Sequence, residues 1–417
     1  MAGSTLVLPF WAAATLARTA AVTSRVLGRG SGTVIGGQVL LRLAPDAVRR
    51  LAAGRTCALV SGSNGKTTTT RFLTDAVRSR VPVANNSTGS NMTTGIATAL
   101  LDDRSPTAVL EVDEYYLPAT LAATGARVVV LTNLSRDQLD RYGGVADLVE
   151  TWRRTLAQAP AGTVAITTCD DPLTTYAAAA APRSVWVATP YRWAMDSTLC
   201  PACGALLSRD GDHWWCTGCD FARPEPDWRV DGDELVDPSG VRRRIELSLP
   251  GRANLGNAAL AVVAAGELGV APEPALAAAA KVGGVEGRFS TVHRGEHGVR
   301  LLLAKNPASW SEVLDMLGSS GRPLVFASNG RAADGRDLSW LYDVPFESLA
   351  GREVRVFGER RLDMAIRLET AGARPQLAES LDDAMAGLPA GPVDVVASYT
   401  ALQDLLASPP WSQEARR

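Results

Sequence analysis

The sequence predicts an α/β protein: a phosphate-loop (P-loop) central domain that carries a four-cysteine zinc-ribbon insertion, followed by a smaller α/β C-terminal domain. Short apolar runs alternate with helical segments from residue 56 to about residue 408, a pattern typical of mostly parallel sheets. A glycine-containing turn followed by Lys-Thr joins the first of these strands to the first helix. Four of the six cysteines fall between residues 200 and 219.

The chain has 417 residues, enough for two or three domains of about 100–200 residues each. We predict a helical N-terminal segment over residues 1–55, with a glycine-rich break at residues 28–37. The central domain is expected over residues 56–290, interrupted at residues 190–245 by an insertion of short β segments. The C-terminal domain is expected over residues 291–417.

The apolar runs predict buried strands, and the alanine-rich segments between them predict helices. In the central domain we expect strands at residues 57–60, 108–112, 128–131 and 164–166, and helices at 67–77 and 257–268. In the C-terminal domain we expect strands at residues 301–304, 324–327, 354–357 and 393–396. The chain is therefore predicted to contain two successive α/β units.

The overall composition is that of a globular protein, with 46% hydrophobic and 21% charged residues. The net charge of −2 and the pI of about 6.0 remove the general electrostatic argument for nucleic acid as a partner. Only three of the 42 basic residues are lysines, at positions 66, 281 and 305. Any chemistry that needs a lysine is therefore easy to locate.

An apolar run near the N-terminus, residues 6–17, raises the question of a membrane or export segment. Its twelve residues before Arg18 are fewer than the ~20 that a spanning helix needs. No lysine or arginine precedes it, unlike in a signal peptide. We expect an amphipathic helix that packs on the protein or contacts a membrane surface. The protein is thus predicted to be cytoplasmic or at the inner face of the membrane, and not an integral membrane protein.

The strongest motif is ALVSGSNGKTTTT at residues 58–70, a strand, a turn and the start of a helix. Glycines let backbone N–H groups surround phosphate oxygens, and the helix N-terminus favours anions. Lys66 can reach the β- and γ-phosphates, and the Thr67 hydroxyl can bind Mg²⁺. Val60 stands where the common P-loop spacing has its first glycine. The predicted nucleotide-binding residues of this loop are Gly62, Ser63, Asn64, Gly65, Lys66, Thr67 and Thr68.

The cysteines form two Cys-x-x-Cys pairs, Cys200 with Cys203 and Cys216 with Cys219, twelve residues apart. Four thiolates at this spacing complete a tetrahedral Zn²⁺ site with no open position, which makes the metal structural. Disulfides are the alternative, disfavoured in a cytoplasmic chain. His213 lies between the two pairs and is a competing ligand.

Further motifs follow the P-loop in a fixed order. They are NMTTG at residues 91–95, LEV at 110–112, TNL with DQLD at 132–140, GRANLGN at 251–257, GRF at 287–289 and KNP at 305–307. Their order resembles that of the Mur ligases and folylpolyglutamate synthetases. Gln138 stands where that superfamily usually has a histidine, and Lys305 also replaces a histidine.

The resemblance implies a Mur-ligase-like fold that binds ATP and Mg²⁺. It implies that Glu111 or Glu114 joins Thr67 in binding Mg²⁺. The remaining implied nucleotide contacts come from both domains and comprise Asn254, Asn257, Arg288, Lys305 and Asn306.

In three features the sequence differs from the amino-acid-adding Mur ligases. In these features it resembles one family within the superfamily, the MurT subunits of lipid II isoglutaminyl synthases. No lysine lies between residues 66 and 281, so the carbamylated lysine of amino-acid-adding Mur ligases is absent. The other two departures are the four-cysteine insertion and the segment NGRAADGRDLSWLYDVPFE at residues 329–347. This resemblance implies a carbon–nitrogen ligase that amidates the α-carboxyl of D-glutamate in lipid II, through an acyl phosphate, with ammonia.

Release of ammonia from glutamine usually needs a cysteine nucleophile. The two cysteines outside the cluster, Cys57 and Cys169, do not lie in a plausible nucleophile turn, so we expect this chain to lack glutaminase activity of its own. The resemblance implies a GatD-like class I glutaminase subunit as the partner, to which this chain lends an aspartate. We favour Asp343 over Asp337 for that role, and Lys66 and Glu111 as the other catalytic residues. The alternatives are an amino-acid-adding Mur ligase or folylpolyglutamate synthetase, and a non-catalytic nucleotide-gated scaffold that binds nucleic acid.

Overall fold

The computed structural model describes residues 9–27, 32–86, 90–136, 144–283, 289–318 and 320–408. The N-terminal segment contains three helices, namely α1 (Phe10–Val26), α2 (Thr33–Leu43) and α3 (Ala47–Ala52). Among the described residues, no helix is long and apolar enough to cross a membrane.

The predicted glycine-rich break at residues 28–37 is too long, because Gly36 and Gly37 lie inside α2. Both glycines are buried where helices pack closely. A side chain at Gly37 would overlap the backbone of Thr94, and one at Gly36 would press on Ala21 of α1. The glycines therefore serve close helix packing and do not interrupt the helix.

The central domain is built on a nine-stranded sheet in the order β11-β10-β9-β6-β5-β4-β1-β3-β2. Strands β1 to β6 run parallel to one another. Their bounds are β1 (Thr56–Ser61), β2 (Val83–Asn85), β3 (Thr107–Glu111), β4 (Val128–Leu131), β5 (Val164–Thr168) and β6 (Arg183–Ala188). The four strands predicted here lie within one or two residues of these bounds.

Helices cover both faces of this sheet, because alternate residues of each strand point to opposite sides. Cys57 and Leu59 of β1 pack with the N-terminal helices and with the helices that follow β2, β3, β4 and β5. Ala58 and Val60 pack with the helix that follows β1 and with two helices within residues 252–280. The helices are α4 (Lys66–Arg78), α5 (Thr93–Asp102), α6 (Leu117–Thr124), α7 (Val145–Ala157), α8 (Pro172–Ala178), α9 (Arg252–Glu267) and α10 (Pro272–Ala280).

The segment predicted as one insertion, residues 190–245, divides between two places. Strands β7 (Leu207–Asp210) and β8 (His213–Cys216) form a separate hairpin within residues 195–223, which we call the cysteine lobe. Strands β9 (Trp228–Asp231), β10 (Glu234–Val236) and β11 (Arg242–Arg244) instead extend the nine-stranded sheet, where β9 pairs with β6.

The C-terminal domain contains a six-stranded sheet in the order β12-β13-β17-β14-β15-β16, parallel except for β12. Its strands are β12 (Phe289–Arg294), β13 (His297–Leu303), β14 (Leu324–Ala327), β15 (Glu353–Phe357), β16 (Arg374–Leu377) and β17 (Gly391–Ala397). Its helices are α11 (Pro307–Gly318), α12 (Arg361–Thr370), α13 (Leu381–Met385) and α14 (Tyr399–Ala407), with 3₁₀ turns at Ser339–Asp343 and Phe346–Leu349.

An aromatic cluster holds the 3₁₀ turns against this second sheet. The ring of Phe346 lies 5.0 Å from that of Trp310 and 6.2 Å from that of Phe326, centroid to centroid. All three side chains are almost fully buried. Edge-to-face packing of such rings adds to the hydrophobic free energy of burying them.

We predict that Phe346→Ala lowers the free energy of unfolding of the C-terminal domain by about 3–5 kcal/mol, because it leaves a cavity in this cluster. Urea unfolding measures the change. Leu362→Ala is the control: its side chain is 59% exposed, and we expect a change below about 0.5 kcal/mol. Equal losses for both variants would contradict the assigned role of the cluster.

Candidate active site

The phosphate loop connects β1 to α4 at the carboxyl edge of the central sheet. Gly62 has a φ of 138° and Gly65 a φ of 83°, conformations that L side chains rarely adopt. A side chain at Gly65 would also overlap the amide of Asn257 on α9. The backbone path therefore requires both glycines. Close neighbours add to this requirement, namely α9 at Gly65 and the segment Thr132–Asn133 at Gly62.

Lys66 begins α4, and its ammonium group is buried with acceptors on several sides. Its Nζ donates to the Glu114 Oε1 at 3.0 Å and to the carbonyl oxygen of Gly62. The Lys66 side chain is only 4% exposed and that of Glu114 10%. A buried charge needs such partners, and here they hold the lysine against the loop that is predicted to bind phosphate.

The two candidate Mg²⁺ ligands differ in their surroundings. Glu111 ends β3, beside Val60 of β1, and its Oε1 accepts a hydrogen bond from the Asn91 side chain at 3.2 Å. Glu114 lies on the following turn and pairs with Lys66. The structure thus places both carboxylates at the carboxyl end of β3, next to the loop that follows β1, at the edge where ligands bind in open α/β sheets.

Thr132 and Asn133 follow β4, and their side chains hydrogen-bond to the backbone of Asn64 in the phosphate loop. The Asn64 N–H donates to the Asn133 Oδ1 at 3.1 Å, and the Thr132 hydroxyl donates to the Asn64 carbonyl at 2.6 Å. The remainder of this predicted motif, DQLD at residues 137–140, lies outside the described residues, as does Arg288.

Asparagines from two other elements complete the surroundings of the loop. Asn254 and Asn257 lie in the first turns of α9, and the Asn257 Nδ2 donates to the Asn254 Oδ1 at 3.2 Å. Asn306 precedes α11 of the C-terminal domain, and its Nδ2 donates to the Asn64 Oδ1 at 3.2 Å. Lys305 lies next to it, with its backbone N–H bonded to the Ser309 hydroxyl at 2.9 Å. Both domains therefore reach one loop.

A cavity adjoins the loop between the two domains. Besides residues predicted from the sequence, its walls include Thr189, Pro190, Tyr191, Ala308 and Glu312, which sequence reasoning missed. Burial raises the pKa of Glu312 to about 7, with a further contribution from Asp315. The segment 189–191 follows β6, so the rule that sites lie at the carboxyl ends of parallel strands would have found it had β6 been recognised.

The four predicted metal-ligating cysteines come together at one end of the cysteine lobe. Their Sγ atoms all lie within 4.8 Å of one another, with 3.8 Å between Cys200 and Cys219 and 3.4 Å between Cys203 and Cys216. A tetrahedral Zn²⁺ with sulfur ligands needs S–S separations of about 3.8 Å, whereas a disulfide needs about 2.05 Å. The cluster could therefore hold one tetrahedral zinc ion. His213 is exposed and stacks on Trp215, apart from the cluster.

The cysteine lobe is fastened to the wall of the cavity. The buried Trp214 donates its indole N–H to the Cys169 carbonyl at 2.9 Å, and two guanidinium nitrogens of Arg223 donate to the Asp170 Oδ1 at 2.9 and 2.8 Å. The other carboxylate oxygen of Asp170 accepts the Thr189 N–H at 2.6 Å. Burial raises the pKa of Asp170, while Arg223 opposes that rise. One aspartate thus links the lobe to the cavity.

Asp343 ends the first 3₁₀ turn of the C-terminal domain. Its Oδ2 lies 3.0 Å from the Arg136 Nη2 of the central domain, and Arg136 also pairs with Asp196. Asp337 is exposed and accepts the Ser339 N–H at 2.8 Å and hydroxyl at 3.0 Å, bonds that lower its pKa. Asp337 therefore acts as a local cap, while Asp343 lies at the junction of the two domains.

Comparisons with known proteins agree with this architecture. The family model of the Mur ligase middle domain matches residues 60–265, and that of the MurT ligase C-terminal domain matches residues 303–402. A solved structure of a pseudomurein peptide ligase type C from Methanothermus fervidus has a TM-score of 0.68 at 17% identity, over 87% of this chain and 78% of that one. That likeness shows the fold.

Curated relatives narrow the family further. The chain is 30% identical over 380 residues to a Streptococcus pneumoniae (strain ATCC BAA-255 / R6) protein named lipid II isoglutaminyl synthase (glutamine-hydrolyzing) subunit MurT, covering 83% of this chain and 84% of the relative. It is 28% identical over 390 residues to the protein of the same name from Staphylococcus aureus (strain N315), covering 87% and 88%. The chain therefore belongs to the MurT family of Mur ligases.

Proposed function

We propose that this chain is the ATP-using subunit of a lipid II isoglutaminyl synthase and acts in peptidoglycan synthesis. It would amidate the α-carboxyl of D-glutamate in the lipid II stem peptide to give D-isoglutamine. The observation that carries the proposal is the phosphate loop, with its buried Lys66–Glu114 pair and asparagines from both domains, in a chain of the MurT family.

The loop and the adjoining cavity would bind different parts of ATP. The N–H groups around Gly62 and Gly65, with Lys66, suit the phosphates, and the cavity beside Asn257 suits the nucleoside. Thr67 with Glu111 or Glu114 would hold Mg²⁺, which neutralises developing charge on the phosphates. Glu111 is the better placed carboxylate, because Lys66 already pairs with Glu114.

The chemistry proceeds in two substitutions. A substrate carboxylate oxygen attacks the γ-phosphorus, the bond to ADP breaks, and an acyl phosphate forms. The nitrogen of ammonia then attacks the acyl carbon, the C–O bond to phosphate breaks, and the nitrogen loses a proton. Lys66 would stabilise the negative charge on the transferring group, a role that positioned cations fill in phosphoryl transfer.

Ammonia rather than an amino acid is the proposed nucleophile. Amino-acid-adding Mur ligases resemble this chain in their P-loop domain, but no lysine lies between residues 66 and 281 to be carbamylated. An amino-acid-adding ligase or folylpolyglutamate synthetase remains the alternative function. The two alternatives differ in the product that they form.

The ammonia would come from a GatD-like class I glutaminase subunit. Asp343 would complete the cysteine–histidine pair of that partner. The side chain of this aspartate is 30% exposed, and its carboxylate is held by Arg136. A fixed and accessible carboxylate suits the orienting of a partner's histidine. We propose that the complex acts in the cytoplasm, at the inner face of the membrane.

We also propose that Cys200, Cys203, Cys216 and Cys219 hold a structural Zn²⁺. Four cysteine ligands leave no open coordination position, so the ion would take no part in the reaction. Its role would be to fold the cysteine lobe, which is fastened through Asp170 to the cavity wall.

The proposed reaction predicts amidation of lipid II by ATP and ammonium, detected by mass spectrometry as replacement of a hydroxyl by an amino group. Lys66→Met should lower turnover by about 10²–10³, because it removes the cation at the phosphates. Lys281→Met is the matched control at an exposed position and should keep its turnover. Incorporation of an amino acid instead of ammonia would support the alternative ligase.

The role of Asp343 predicts a split between two activities of the two-subunit complex. Asp343→Asn should reduce glutamine hydrolysis by about a hundredfold or more, as loss of an orienting aspartate does in a triad. Amidation supported by added ammonium should persist, which also shows that the variant is folded. Asp337→Asn is the control and should leave glutamine hydrolysis unchanged; the reverse pattern would move the role to Asp337.

The zinc proposal predicts about one zinc ion per chain in protein purified without chelators, measured by atomic emission. Cys203→Ser should lose the ion, because it removes one of the four thiolates. His213→Ala is the control within the same lobe and should keep it, since His213 lies apart from the cluster. Zinc-free protein, or zinc loss in the His213 variant alone, would refute the four-cysteine site.

A further inference from the structure

The outward face of α1 is unusually apolar. Trp11 is 73% exposed and Val26 79%, and Leu16 and Val22 are about half exposed. Seven of the eighteen exposed large apolar side chains among the described residues lie between positions 11 and 35. Single exposed apolar residues are ordinary, but such a concentration marks an interaction surface.

The inward face of α1 consists largely of alanines. The helix buries Ala13, Ala14, Ala17 and Ala21, and it packs against α2. A helix that faces water normally buries its large apolar side chains and exposes polar ones. Here small side chains are inside and large ones outside, so the outward face is built for a second contact.

The threonine hydroxyls of the outward face have hydrogen-bond partners within the helix. The hydroxyls of Thr15, Thr19 and Thr23 donate to the carbonyl oxygens of the residues four positions earlier, at 2.9, 3.1 and 2.9 Å. Such bonds satisfy the hydroxyl within the helix. The three threonines therefore add hydroxyls that are already hydrogen-bonded to the face that Trp11 and Val26 also occupy, which lowers the free-energy cost of moving that face out of water.

The charge of this region points to an anionic partner. No aspartate or glutamate precedes Asp46 in the sequence, although the chain as a whole carries a net charge of −2. Arg18 and Arg25 are both exposed on α1. Apolar side chains flanked by arginines, without acidic residues, are the features by which helices bind the surface of an anionic bilayer.

The position of α1 agrees with such a surface. Helix α2, on which α1 packs, lies against α5, with the Thr98 hydroxyl donating to the Thr33 carbonyl at 2.8 Å. The segment that leads into α5 carries Asn91, which contacts Glu111 of the candidate active site. Helices α2 and α5 thus connect α1 to the segment that borders the candidate active site.

We propose that the outward face of α1, comprising Trp11, Leu16, Val22, Val26 and the three threonines, docks on an anionic lipid bilayer. The benefit to catalysis rests on the proposed function, in which the substrate is lipid-linked. The docking itself rests only on the exposure, hydrogen bonding and charge of α1.

The test is cosedimentation of the two-subunit complex with vesicles of equal parts phosphatidylglycerol and phosphatidylcholine. We expect binding that weakens with salt and with pure phosphatidylcholine vesicles, because arginines contribute to it. Replacing Trp11→Ser and Val26→Ser together should weaken binding by about tenfold or more, since both side chains would enter the interface.

The control variant combines Val241→Ser and Leu377→Ser, which are exposed apolar positions elsewhere on the molecule. It should bind like the unmodified complex. The proposal is overturned if the complex stays in the supernatant, if both double variants lose binding equally, or if the ligase subunit binds alone but the complex does not. In the last case the face belongs to the partner subunit.

Amidation assays separate this proposal from the proposed function. The Trp11/Val26 double variant should amidate detergent-dispersed lipid II normally but act more slowly on lipid II in vesicles. Normal rates on both substrates would overturn docking as a route to substrate. Absence of amidation by the unmodified complex, with vesicle binding intact, would refute the proposed function and leave the membrane surface standing.

Discussion

The burial of one ammonium group, that of Lys66, is the constraint on which the candidate site depends. A cation that is 4% exposed requires nearby acceptors, because its hydration is lost. One acceptor, the Gly62 carbonyl, belongs to the loop itself. Another, the Glu114 carboxylate, is available because β1 and β3 are parallel neighbours, which places the turn with Glu114 beside the loop that follows β1. The left-handed backbone at Gly62 and Gly65 then turns the loop back over the lysine.

The phosphate loop, at the centre of the candidate site, could be predicted from local sequence patterns. An apolar run, a glycine-containing turn and a helix are adjacent in the chain, so β1, the loop and α4 can be predicted from thirteen consecutive residues. The cavity wall could not be predicted in this way. The apolar run of β6, residues 185–188, is not followed by a glycine-containing turn and a helix, and Glu312 reaches the cavity by packing between domains.

The sequence predicts residues 190–245 as one insertion because long-range strand pairing, like packing between domains, leaves no local pattern in it. Strands β9 to β11 contain many charged residues, among them three consecutive arginines in β11, and therefore resemble exposed loop in the sequence. Pairing with β6 places them in the central sheet, and such long-range pairing leaves no local signature. The cysteine spacing, by contrast, is local, and the four sulfur atoms do come together.

The ion pair between Arg136 and Asp343 joins the two domains. Under the proposed function, it would lie between the nucleotide site and the contact with the glutaminase subunit. Arg136 follows the segment that holds the phosphate loop, and Asp343 lies on a turn of the other domain. Rotation of one domain against the other would therefore stretch or break this bond. Under the proposed function, the geometry around ATP and the presentation of Asp343 to the partner subunit would then depend on each other mechanically. Ammonia release would follow the state of the nucleotide site without any separate signalling element.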